Sequence, residues 1–168
     1  ENIEKIETDK KIEKDEIRKY CEKYRQIYRY LNRYKGEELY KIESGLLDLD
    51  IYMRWLAFNF LVRNGDYTDE VYFYYEPGIK KFSIIPWDYD YLFFSAPNEG
   101  NIEIKDNTGN KLIFSAEDLL DKKIASDPFL YKVYLIQFRD VLNQLSDEVL
   151  KRVLENTYSE LFPYFAND

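Results

Sequence analysis

Five carboxylates stand in two short runs: Asp66, Asp69 and Glu70 in NGDYTDE, then Asp88 and Asp90 in PWDYD. Carboxylate oxygens suit hard divalent cations such as Mg²⁺, which keep positions open for water or phosphate. If the two runs meet in space, their repulsion is costly unless a cation lies among them. Such a group can place positive charge against a phosphoryl group and leave one carboxylate to orient a hydroxyl. His is absent from the chain, so imidazole base chemistry is excluded.

Taken singly, each Asp reads as a solvated loop residue. What groups them is the hairpin pattern of VYFYYEPGIKKFSIIPWDYD, with strands at about 71–76 and 81–86 and Pro77-Gly78 in the turn. Pairing Glu76 with Lys81 puts opposite charges across from each other and sets Tyr75 opposite Phe82, Phe73 opposite Ile84 and Val71 opposite Pro86. One face is then apolar throughout. Extended past Pro86, the two-residue alternation carries Asp88 and Asp90 onto that face, opposite Asp69 and Tyr67. Trp87 points the other way and is expected to pack against neighbouring helices.

A helix must carry the first run. DIYMRWLAFNFLVRNG is apolar nearly all round, which belongs in the middle of a domain. Asp48 or Asp50 can cap it, and Asn64-Gly65 ends it, Gly65 being suited to the left-handed conformation there. Trp55 reads as a core residue and Asn64 as a cap. Asn59 either ties the helix to the following loop or makes a plain buried hydrogen bond.

These parts fall in one lobe. Residues 1–47 form an N-terminal helical segment: charged over 1–11, then a helix from Ile12 with Ile17, Tyr20, Tyr24, Ile27 and Leu31 on one face, broken at Lys35-Gly36. Lys10, Lys11, Lys14, Lys19 and Lys23 fall on its polar, solvated face, and 37–47 reads as a short helix or loop. Residues 48–94 hold the buried helix, the loop of Asp66 and the hairpin. Residues 95–125 read as a loop region, with room for a second small hairpin around Asn107–Asn110. Residues 126–168 are C-terminal helices, one capped by Ser126 or Asp127 with Pro128 in its first turn and running to about Asn143. The last is capped by Ser146 or Asp147 and carries Leu150, Val153, Leu154, Tyr158 and Leu161 along one face. The fold class is α+β and mostly helical.

A formal net charge of −8 argues against a nucleic-acid partner or an anionic membrane surface, since both are bound mainly through Lys and Arg. No apolar run reaches the roughly 18 residues of a membrane span. Cys21 is the one cysteine, so no internal disulfide forms. The 17 Tyr suit half-buried positions and protein–protein contacts. The opening at Glu1 without a Met reads as a processed or excised piece, and oligomeric state is left open.

The order of a buried helix, a loop Asp, a short hairpin and a second Asp recurs in protein kinases. Here the residues resemble the CotH-type atypical kinases, named for a spore coat protein. The helix running into Asn64-Gly65-Asp66 resembles the stretch ending in that family's N-x-D motif. VYFYY followed by FSIIPWDYD resembles its hairpin and Pro-Trp-Asp-x-Asp signature, and DPFLYKVYLIQFRDVLNQLSDEVLKRVLENTYSEL is similar to its C-terminal helices. The resemblance spans roughly 40–165. It implies a kinase-like C-terminal lobe in which Asp66 is the catalytic carboxylate and Asp88 a metal ligand, with Asp90 a second. Where the family usually has an Asn after the catalytic Asp, this chain has Asp69-Glu70, and Glu70 would join the metal ligands. The implied cofactors are Mg²⁺ and ATP, the implied partner is a protein acceptor, and the implied setting is extracellular, cell envelope or spore coat. The sequence contains neither a Gly-rich loop nor a strand-borne Lys before the buried helix, so the chain alone is expected to be inactive. Two other readings share the same carboxylates or surface: a non-catalytic, pseudokinase-like interaction module, and a metal-dependent phosphohydrolase.

Overall fold

The computed structural model describes residues 14–68, 71–95, 111–114 and 117–165. Among them lie six helices and one antiparallel hairpin, arranged around a central helix. That helix is α3 (Leu49–Val62), with Tyr52, Met53, Trp55, Leu56, Ala57 and Asn59 all buried. Asp48 caps its start by accepting from the Ile51 N–H at 3.4 Å. Each large apolar side chain removed from water contributes about 1.5–3 kcal/mol, so this one helix supplies much of the core's driving force.

The end of α3 differs from the sequence expectation. The left-handed residue is Arg63 (φ 50°, ψ 53°), and Gly65 follows two residues later. Gly65 is needed for a different reason. A Cβ there would overlap the Tyr91 ring, so only glycine lets the two segments approach.

Strands β1 (Tyr72–Glu76) and β2 (Lys81–Ile85) pair in the expected register, from Glu76 opposite Lys81 to Tyr72 opposite Ile85. The ladder stops there. Residues 86–90 leave the sheet, and Asp88 is left-handed (φ 44°). The two-residue alternation therefore does not carry Asp88 and Asp90 onto the face of Phe82 and Ile84, and both are exposed. Pro86 is the physical reason: it has no N–H with which to continue the ladder.

Helix α1 (Lys14–Arg33) lies over the hairpin, with the Tyr24 ring 5.5 Å from both Phe73 and Phe82. Lys23, expected to be solvated, instead donates to the Tyr75 hydroxyl at 2.7 Å. Helix α2 (Gly36–Glu43) follows, opened by Gly36 at φ 60°. Leu47 bridges to Phe82, with Asp48 N–H donating to the Phe82 carbonyl at 2.7 Å, so the hairpin is tied to the start of α3.

Helix α4 (Leu119–Ser126) occupies the end of the 95–125 stretch expected to be loop and runs one residue past it. Asp118 caps it, accepting from Leu120 N–H at 2.7 Å. An Asp cap before Leu-Leu was a legible start signal, but the eight-residue helix is too short to display a periodicity. Asp127, one of the two expected caps, opens α5 (Pro128–Gln144) by accepting from the N–H groups of Phe129 and Leu130. Its second oxygen accepts from Gly36 N–H at 2.7 Å, locking α2 to α5. Helix α5 packs along α3, with Tyr134 and Phe138 buried against the core. Helix α6 (Asp147–Phe165) closes the chain and buries none of its residues. The second hairpin anticipated at Asn107–Asn110, and the charged 1–11 stretch, lie outside the described residues.

Candidate functional site

Two segments converge on the C-terminal end of α3. One is the loop that follows the helix, carrying Asp66. The other is the 86–94 segment that follows β2, carrying Asp88 and Asp90. Their backbones are bonded together: Gly65 N–H donates to the Tyr91 carbonyl at 2.8 Å, Phe93 N–H to that of Val62 at 2.8 Å, and Phe94 N–H to that of Arg63 at 3.1 Å.

A buried asparagine pair sets the corner. Asn59, wholly buried, donates through Nδ2 to the Trp55 carbonyl at 2.9 Å, and its Oδ1 accepts from Asn64 Nδ2 at 3.0 Å. That Asn64 Nδ2 also lies 3.5 Å from the Asp88 carbonyl, and Asn64 Oδ1 accepts from the Asp66 N–H at 3.2 Å. One amide thus touches the helix, the residue bearing the first carboxylate and the residue bearing the second. Of the two expected roles for Asn59, the tie between helix and loop is the one observed. Asn64 adds the cap bond, its N–H donating to the Asn59 carbonyl at 3.1 Å.

Trp55 performs the same convergence with aromatic rings. It meets Tyr67, the neighbour of Asp66, edge-on at 5.4 Å. Burial raises the pKa of Tyr89, between Asp88 and Asp90, against the lowering influence of the Trp55 and Asn59 side chains. Phe58 adds an edge-on contact to Tyr89 at 5.6 Å. Neither tyrosine was singled out from the sequence. The available signal was position: each adjoins a carboxylate, and a neighbour that anchors a loop residue fixes it as surely as a direct bond.

Asp66 is half-buried, whereas Asp88 and Asp90 face solvent. Neither Asp88 nor Asp90 forms an ion pair among the described residues. Glu70 and Asp69 lie outside the described residues. No group of three His, Cys, Asp or Glu side chains poised to hold a metal occurs among the described residues. Mg²⁺ at phosphate-transfer sites is held by one or two carboxylates, with waters and phosphate oxygens completing the shell, and an all-oxygen, outward-facing pair such as Asp88 and Asp90 fits that demand. Trp87 departs from expectation: it is 57% exposed and meets Tyr72 edge-on at 6.3 Å on the outer face of the hairpin. An apolar cleft of about 550 Å³ lies behind the 86–92 segment, lined by Trp55, Phe58, Ile84, Pro86, Tyr89 and Leu145. Arg54 and Gln144 are the polar side chains on this otherwise apolar lining.

A mostly helical α+β fold with one hairpin, a carboxylate loop after its central helix and a Pro-Trp-Asp-x-Asp turn after the hairpin defines a class, and the family comparison agrees. The model of the CotH kinase protein family matches residues 1–168. The chain belongs to that family. No curated protein and no solved structure matches it. No described helix is long and apolar enough to cross a membrane.

Proposed function

We propose that this chain is the C-terminal lobe of a CotH-type atypical protein kinase, which passes the terminal phosphate of ATP to a protein acceptor. The observation that carries the reading is the junction at Asn64, where the Asp66 loop and the Asp88 segment are bonded to one amide. Kinase chemistry asks for that adjacency, because phosphoryl transfer is mostly placement of charge. Asp66 would orient the acceptor hydroxyl and take up its proton. Asp88, with Asp90 and Glu70, would hold Mg²⁺ where it neutralises the phosphate oxygens. The phosphates themselves need a second, ATP-holding lobe with a Lys, so the chain alone is inactive in this reading. Membership of the family supports a setting at a spore coat or cell surface.

The exposed apolar face of α6 favours the second reading, a non-catalytic module that docks other proteins. One experiment separates the two. The natural protein containing this lobe is incubated with labelled ATP, Mg²⁺ and protein acceptors, beside Asp66→Ala and Asp88→Ala. The kinase reading expects acceptor labelling that falls by about 100-fold or more in each variant. Labelling that survives both substitutions refutes the assignment. Phosphate release to water without labelled acceptor would identify a phosphohydrolase instead.

A further inference from the structure

A second polar network lies behind the site. Asp121, on α4, is 1% exposed, and its Oδ1 accepts from the Tyr52 hydroxyl at 2.7 Å. Tyr52, on α3, is itself 1% exposed. Nearby, Asp118 accepts from the Tyr28 hydroxyl of α1 at 3.0 Å, and Tyr28 in turn meets Tyr24 at 3.2 Å. The groups that face Asp121 are Asp118 of its own helix, Tyr52 of α3 and Tyr134 of α5, with Tyr28 of α1 reached through Asp118. None is a cation. The neighbouring Lys122 is exposed, and Lys123 acts on Asp127.

From Tyr52 a chain of rings runs to the candidate site. Its ring lies 5.4 Å from Trp55 and stacks on Phe73 of β1 at 5.9 Å, and Trp55 meets Tyr67 edge-on at 5.4 Å. Tyr67 adjoins Asp66. A hydroxyl pinned by a buried acceptor holds its ring in one orientation, and close-packed neighbours follow that orientation.

We propose that Asp121 and Tyr52 are a positioning pair for the Asp66 loop: their buried hydrogen bond fixes the Tyr52 ring, which seats Trp55 beneath Tyr67. The value of such positioning for phosphoryl transfer rests on the reading given above; the mechanical coupling does not. Burial and the adjacent Asp118 push the Asp121 carboxyl well above its usual range. The linkage has a definite sign. Rising pH strips the proton and leaves an uncompensated charge among tyrosines, a cost that the Tyr52 bond offsets only in part by favouring the charged form, so what changes at the pair is its charge and not the loss of its bond.

The test uses the full chain carrying Trp87→Phe, which leaves Trp55 as the only tryptophan. Trp55 emission is followed upward in pH from the ordinary carboxylate range, stopping below the range in which free tyrosine ionises. The parent is expected to show a transition that Asp121→Asn abolishes, because Asn keeps the acceptor oxygen and cannot ionise. Glu43 also titrates in this window, its pKa pushed up to about 8 by burial, but it is common to both proteins and leaves the difference intact. Tyr52→Phe supplies a second arm. Removing its hydroxyl deletes the bond that favours the charged form of Asp121, so the transition moves to higher pH. Identical titrations of the parent, Asp121→Asn and Tyr52→Phe would overturn the proposal. Because emission is read without nucleotide or acceptor, that failure would leave the kinase assignment to its own experiment.

Discussion

Helices α3 and α6 are both rich in apolar residues, yet they occupy opposite conditions. Along α3, Tyr52, Met53, Trp55, Leu56 and Ala57 are buried and the helix end is clamped by asparagines. Along α6, Leu154 is 69% exposed, Tyr158 and Phe162 are also exposed, and no residue is buried. The difference is already present in the residue order. Apolar side chains surround α3, so no orientation of it in water is acceptable. On α6 they occupy one side, with Lys151, Arg152, Glu155 and Glu160 elsewhere, so the helix tolerates solvent while keeping a face that could dock. Burial follows from how many sides of a helix are greasy, and a one-sided pattern fixes only which side would be covered.

The sharpest way to test this contrast is a cavity in α3. Leu56 is wholly buried, so Leu56→Ala should cost about 2–5 kcal/mol of unfolding free energy, measured by urea titration. A loss below about 1 kcal/mol would mean that the helix is not packed as described.

The second substitution acts where α3 meets the site. In Gly65→Ala the new methyl group overlaps the Tyr91 ring, so either the ring or the bonded backbone must move. Overpacking of this kind typically costs about 1–3 kcal/mol. Because Gly65 N–H holds the Tyr91 carbonyl, the displacement should also part the Asp66 loop from the Asp88 segment. Hydrogen exchange reports this directly: the Gly65 and Phe93 amides should lose protection in the glycine variant and keep it in Leu56→Ala at matched stability. Equal protection in both variants would separate Gly65 from the site.

How much of this was legible without coordinates varies by residue. The hairpin register was readable, because setting Glu76 opposite Lys81 left one apolar face, although the ladder ends at Tyr72 and Ile85, short of the expected Val71–Pro86 pair. The burial of α3 was readable for the reason just given. The positions of Asp88 and Asp90 were not, since alternation applies only while a strand continues, and Pro86 followed by a left-handed Asp88 ends it. The clamp at Asn64 was half readable: a buried amide at a helix end signals a cap, but its second contact depends on a segment 24 residues away. Asp121 gave no signal at all. In sequence it is one acid among 32 Asp and Glu, and only the fold brings Tyr52 to it.

The smallest expected effect lies on the other side of the comparison. Leu154→Ser changes a side chain that touches no core, so the unfolding free energy should move by no more than about 0.5 kcal/mol. Serine is only slightly poorer than leucine as a helix former, which leaves packing as the quantity measured. A null result in the isolated chain, set beside the large loss for Leu56→Ala, would confirm that leucines in the two helices carry unequal weight. A loss above about 2 kcal/mol would mean that Leu154 is buried in solution. The α6 face would then have to be covered by something that binds it, and the contrast between the two helices would reduce to a difference in partner.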